Sequence, residues 1–336
     1  MIFRTLTPLR SSPRRGNPRM KRSLLGLAAV AACLALSAAG CGSSEGLEKP
    51  VLTVGVVPVP DSAPLAIAQQ RGYFKDEGLT VKIRPVKASP DATPLLLNGS
   101  LDLALLNYVS TFTAQDKGTA AFRVVADSYR GSNGSFAVLT GTAPGVQGLA
   151  GLRGRKIAVP AVRSVTDLLL AVQLRNAGLD RDKDVTVVPV PLPNMGAALR
   201  QGTVDAVAAA EPFVTDIQAA HGGHLLSDLV TGPTEDFPIS GWGGTAKFAE
   251  KNPRTVAAFQ RAIARANRAA ADRATVTRAI PTYTQIPAVT AAKISLGAYP
   301  TRLDAAKLQQ VATLMTQYGY LQNTPDVRKM ITPAPK

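Results

Sequence analysis

The chain has 336 residues, 46% hydrophobic and 18% charged, which is enough apolar material for one large or two medium cores. Its formal charge of +15 says little about partners, because residues 1–40 hold seven Lys or Arg and no acid, leaving 31 bases against 23 acids (+8) in the remainder. Aromatics make up only 5% and no basic stripe is interleaved with them, so nucleic acid is excluded as a partner.

Taken in order, Met20-Lys21-Arg22 is a positive n-region and Leu24 to Ser37 an apolar h-region too short to span a bilayer comfortably. Ala38-Ala39-Gly40 then leads into Cys41. The stretch resembles a bacterial lipoprotein signal, in which the Cys becomes the lipidated first residue, although Ala38 stands where Leu is commoner; an ordinary secretory signal is the alternative. Either Met1 or Met20 can serve as the start. The other cysteine, Cys33, falls inside the removed segment 1–40, so the mature domain has no thiol beside its anchor. Disulfides, Cys-ligated metals and Cys nucleophiles are thereby excluded. Residues 41–50 read as a polar tether, reaching at most about 30 Å.

Val51 to Val57 reads as a buried strand, Pro58-Val59-Pro60 as a turn, and Asp61 or Ser62 as the cap of a helix with Pro64 in its first turn. A strand at 80–86, a helix at 91–98, a strand at 101–106, a helix near 109–117 and a strand at 122–127 follow. Phe136 to Thr140 is expected as a first crossing strand. Next come strand 157–160, helix 166–177 ending at Gly178, strand 185–190, and a helix leading into the strand that stops at Glu211-Pro212. The glycines of Gly148 to Lys156 precede a strand instead of joining strand to helix, which argues against a nucleotide site. His221 and His224 have no third ligand nearby and read as surface residues, so no metal and no cofactor is expected. Ile239 to Thr245 reads as the return crossing, ending in a helix cap. Beyond it, residues 253–274 place Val256, Phe259, Ile263, Ala266 and Ala270 on one face and Arg254, Arg261, Arg265 and Arg268 on the other, as a solvated helix surface would. Helices near 287–296 and 303–318 and a loose tail of about a dozen residues complete the chain.

One unit occurs twice. Thr93 to Tyr108 carries Asn98-Gly99-Ser100-Leu101-Asp102 where Met195 to Phe213 carries Gln201-Gly202-Thr203-Val204-Asp205, and each copy follows an alternating strand, 79–86 and 185–192. A helix, a glycine at its C-terminal cap and a buried strand in each half imply two α/β lobes of similar plan with a cleft between them.

These residues, with Ala68 to Leu79 (AQQRGYFKDEGL), Leu152 to Pro160 (LRGRKIAVP), Asn176-Ala177-Gly178-Leu179 and Glu211-Pro212, resemble as an ordered set the binding proteins of ABC importers for sulfonates, taurine, nitrate and thiamine-pyrimidine precursors. The resemblance covers about residues 51–260. It implies a type II-like periplasmic-binding-protein fold: two Rossmann-like α/β lobes joined by two crossovers, 51–137 with 240–336 and 138–239. It also implies a small polar ligand in the cleft, a membrane permease and an ATPase as partners, and a receptor that needs no second copy. With the Cys41 anchor, the expected location is the outer face of the cytoplasmic membrane. An enzyme alternative, the pyrimidine-precursor synthases, resembles the same family but works in the cytoplasm with a His and iron, and neither His here falls on an expected cleft loop. A ligand-sensing lipoprotein serving a signalling partner is the third reading.

Ligands of open α/β sheets sit outside the carboxyl ends of the strands. That selects Pro58 to Ser62, including Asp61; Asn107-Tyr108; Pro160 to Thr166, with Arg163 and Ser164; and Glu211-Pro212-Phe213. Ser62, and Ser164 or Thr166, sit at helix starts suited to an anion, with Arg163 adding a fork for an oxyanion, or else they are ordinary helix caps beside a solvated Arg163. Asp61 and Glu211 either contact solvent and backbone or meet a ligand cation, and in the latter case a zwitterion or an amine-bearing ring would use both charge types. Trp242 is expected either to stack on the ligand or to pack at the hinge, with Tyr108 as another wall.

Overall fold

In the computed structural model, residues 46–141 and 146–335 are described, so the signal segment, Cys41 and the first part of the tether lie outside them. The chain runs β1 (Val51–Val56), α1 (Ala63–Gln70), α2 (Tyr73–Asp76), β2 (Thr80–Pro85), α3 (Ser89–Leu97), β3 (Leu103–Asn107), α4 (Tyr108–Asp116) and β4 (Phe122–Arg130). It continues with β5 (Phe136–Thr140), β6 (Lys156–Val159), α5 (Val165–Asn176), β7 (Thr186–Pro189), α6 (Leu192–Arg200), β8 (Ala206–Ala210), α7 (Phe213–Ala220) and β9 (His224–Asp228). After β10 (Pro238–Thr245) come α8 (Ala246–Lys251), α9 (Pro253–Ala269), α10 (Arg273–Ala279), α11 (Ala288–Ala291) and α12 (Ala305–Gln317). Among the described residues no helix is long and apolar enough to cross a membrane.

The strands form two five-stranded sheets of one plan, β2-β1-β3-β10-β4 and β7-β6-β8-β5-β9. In each, three parallel strands built from helix-linked crossovers are followed by an antiparallel strand, β10 reaching the first sheet from beyond the second and β5 entering the second just ahead of β6 in the chain. β5 already belongs to the second sheet and β10 to the first. Sheet membership therefore changes within 131–135 and 229–237, slightly ahead of the expected limits at 137/138 and 239/240.

The repeated pentapeptide has a physical role in both sheets. Gly99 and Gly202 take positive φ (76° and 67°) just past α3 and α6, a conformation that costs glycine nothing. Three residues on, the backbone N–H of Asp102 bonds to Thr53 O while its carboxylate accepts the Thr53 N–H at 2.9 Å. Asp205 does the same with Lys156, at 2.8 Å. A base ahead of each clamped strand completes the pattern: Lys49 Nζ lies 2.6 Å from Asp102 and Arg155 3.1 Å from Asp205. The repeat thus registers β1 and β6 against the turn that starts their neighbours β3 and β8.

Several expectations are corrected. The arginine face of α9 is not simply solvated: Arg261 pairs with Glu77 at 2.7 Å, Arg265 with Asp76 at 2.9 Å, and Arg254 with Glu48 at 3.2 Å. Its apolar face is buried as expected, with Phe259 stacked on Phe74. The end of the tether is docked, since the Glu48 carboxylate accepts from the Arg254 and Thr255 N–H groups at the first turn of α9. The tail is docked too. Ile331 bridges Val124, Thr332 N–H donates to Val124 O, and Gln260 Nε2 reaches Pro333 O. Finally, the helix expected over 287–296 stops at Ala291, because Arg273 binds the carbonyls of Ala292 and Ile294 and draws the chain out of helical geometry.

Candidate functional site

Residues from both sheets meet at the carboxyl ends of their strands. Asp61 lies in the turn Pro60–Ser62 after β1 and is 8% exposed. One of its carboxylate oxygens accepts the Ser240 hydroxyl at 2.6 Å, and its backbone carbonyl accepts from the Ser128 hydroxyl at 2.7 Å. Neither an ion pair nor a second side-chain donor reaches that carboxylate among the described residues. Burial pushes it up to about 6, with the Ser240 hydrogen bond pulling the other way.

Three tyrosines stand around this turn. Tyr283 donates to Val59 O at 3.0 Å, Tyr299 donates to Pro60 O at 3.1 Å, and Tyr129 lies edge-on to Tyr299 with ring centroids 5.3 Å apart. Burial holds all three phenols above the usual tyrosine value, and the Asp61 charge adds to each. Tyr129 also feels Glu211 from the second sheet.

Glu211 ends β8 and folds back on the first turn of α7, where Thr215 N–H and Oγ donate to it at 3.0 and 2.8 Å. Its third donor comes from far along the chain, Ser295 N–H at 2.9 Å. The same segment then runs onto β4: Gly297 N–H donates to Tyr129 Oη, and Ala298 exchanges both backbone bonds with Arg130 at 2.9 Å. Residues 295–298 therefore tie the end of β4 to Glu211 of the other sheet. Gly297 must be glycine here, since a Cβ would stand 2.0 Å from Arg130 O.

The remaining expected residues are placed differently. Pro58 is exposed in the turn. Ser62 does not cap α1; its hydroxyl donates to Val57 O. Asn107 is itself the cap of α4, accepting from Ser110 N–H at 2.8 Å, and there is no loop between it and Tyr108. Tyr108 is fully buried and donates to Asp127 at 2.7 Å. Ser164 caps α5 and Thr166 is buried in its first turn, but this helix start is not an open anion site. Asp167 occupies it, held by Arg181 at 2.8 and 2.9 Å, and the Arg163 guanidinium donates to Gly319 O and lies over the Tyr320 ring. Trp242 is wholly enclosed, edge-on to Phe259 in the core beneath α9, with no acceptor for its Nε1 among the described residues. Of its two expected roles only packing remains.

Sequence reasoning missed Tyr129, Ser240, Tyr283 and Tyr299. Tyr129 and Ser240 could have been found by extending the apolar alternation of β4 through Arg130 and placing Ser240 at the start of the return strand. The other two belong to a segment with no local signal. His221 lies at the end of α7 beside Arg200, away from this cluster, and no group of metal-ligating side chains occurs among the described residues.

The cluster offers hydrogen-bond acceptors, phenols and, in Asp61, a carboxylate with no basic partner among the described residues, and its bases have partners of their own apart from the unpaired Arg130 Nε. Arg273 is bound to two carbonyls. Arg130, beside an open hollow of about 600 Å³ lined by 300–306, faces Asp127, Asp236 and Asp304.

Residues 45–282 match the NMT1-like family. A Bacillus subtilis (strain 168) protein named for binding aliphatic sulfonates is 29% identical over 249 residues, 71% of each chain. A nitrate/nitrite binding protein, NrtA, of a Nostoc species is 25% identical over 228 residues, 62% of this chain and 51% of that one. The periplasmic aliphatic sulphonate binding protein SsuA of Escherichia coli superposes with a TM-score of 0.71 at 21% identity, covering 86% of this chain and 94% of its own. That likeness shows a shared fold of two α/β sheets.

Proposed function

The chain belongs to the NMT1-like family, and from that premise we propose that it is an extracytoplasmic solute-binding protein of an ABC import system. Residues 51–130 and 238–335 act as one lobe and 136–228 as the other, a small polar solute binds between them, and the closed form is passed to a permease driven by an ATPase. Solute that touches both lobes favours closure by its greater affinity for that arrangement. Lipidation at Cys41 keeps the receptor at the outer face of the cytoplasmic membrane.

The observation that carries this reading is the meeting of Tyr129 and Arg130 of the first sheet with Glu211 of the second through the segment 295–298. It joins the two sheets at the ends where α/β folds bind ligands. The sequence relatives, named for binding sulfonates and nitrate, point to the same class of task. The test is a thermal-shift screen of the mature chain against sulfonates, nitrate, amino acids, amines and pyrimidines. A solute that binds only the folded state must raise the melting temperature, and small-angle scattering should show compaction with the same solute. Turnover of a bound compound, or a melting temperature indifferent to the whole panel, would overturn the proposal.

A further inference from the structure

Going further than solute capture, and resting on it, we propose that Asp61 with Tyr129, Tyr283 and Tyr299 forms a subsite for a positively charged group of the solute, an alkylammonium or a protonated ring nitrogen. The carboxylate is more than nine-tenths buried, yet among the described residues it meets only the Ser240 hydroxyl and its own backbone N–H, with no basic partner. Removing a charge from water without a counter-charge is costly. A solute cation supplies the missing counter-charge.

The surroundings fit a cation. Tyr283 and Tyr299 are half-buried residues, and both are held in place by hydrogen bonds to the backbone carbonyls just ahead of Asp61. Phenol ring faces attract cations through their quadrupole. The carbonyl oxygens of residues 59–61 add negative potential at the same place. A sulfonate or nitrate would need free N–H donors or a guanidinium. Among the described residues Arg163 and Arg273 donate to carbonyls, and Arg130 faces Asp127 and Asp236 with its Nε alone lacking a hydrogen-bond partner. Glu211 does not compete for the cation, because its oxygens already accept three donors. It positions the segment carrying Tyr299.

Isothermal titration of the mature chain tests this with matched probes: choline and ethanolamine as cations, taurine as a zwitterion, ethanesulfonate and nitrate as anions without an amine. Binding of an amine-bearing probe, weakened at least tenfold in both Asp61→Asn and Tyr283→Leu while unfolding remains cooperative, supports the subsite. Ethanesulfonate or nitrate binding at full strength in Asp61→Asn, with amines inert, overturns the subsite and leaves solute capture standing. Silence from every probe in the wild-type chain overturns both.

Discussion

Asparagine at position 61 keeps the shape of the side chain and removes its charge, which makes Asp61→Asn a clean probe of the buried carboxylate. Burial raises the Asp61 carboxyl from its ordinary 3.8 to about 6 in the folded chain. A raised acid favours the fold in its protonated form. Its contribution is therefore complete below pH 3.8 or so and is lost as pH rises through about 6. Two pH units at about 1.36 kcal/mol each give a loss of roughly 3 kcal/mol by pH 8. Asparagine stands in for the protonated acid at every pH and can still accept the Ser240 hydroxyl. The variant should match the wild type near pH 4 and exceed it by up to roughly 3 kcal/mol at pH 8. For a folded unit of about 290 residues, at about 2.1 cal/mol/K each, that is roughly 5 °C in Tm. Urea unfolding and thermal scans without added solute, from pH 4 to 8, read the difference. Asp127, raised to about 7 by burial, and Glu211, also raised by burial, give both proteins the same background slope. A stability gap that stays flat across this range, or a variant weaker than wild type at pH 8, would refute the burial argument.

The two strand clamps should differ in strength although their geometry is alike. Asp102 is buried and Asp205 is about one-third exposed, so Asp102→Ala should cost about 2–3 kcal/mol and Asp205→Ala about 1 kcal/mol by denaturant unfolding; equal costs would contradict the clamp account. Gly297→Ala sets a methyl against the Arg130 carbonyl and should destabilise by about 2 kcal/mol or more, with faster amide exchange at Ala298 and Arg130. An alanine there with unchanged Tm and exchange would mean that the 295–298 segment is not held as described.

Much of the architecture was legible residue by residue. Strand alternation at Leu52, Val54 and Val56, the apolar face of α9, and the positive-φ glycines that close α3 and α6 are local signals, each depending on neighbours within a turn or two. The repeated pentapeptide displayed the twofold plan, and the two segments expected as crossings are the antiparallel fourth strands of the sheets, with the change of sheet falling just ahead of each.

What only the tertiary structure decided is which partner each polar group finds. Arg163, Ser164 and Asp61 look alike as polar residues in loops at strand ends. Arg163 is consumed by Gly319, 156 positions away, whereas Asp61 meets a single hydroxyl 179 positions on. Trp242 reads as a solitary aromatic in a glycine-rich strand until α9 covers it with Phe259. Tyr283, Tyr299 and Ser295 carry no periodic signal because the segment holding them is neither helix nor strand. Its position follows from Arg273 and from pairing with β4. Hydrophobic spacing encodes which way a side chain faces within its own element, and long-range pairing alone determines what it faces.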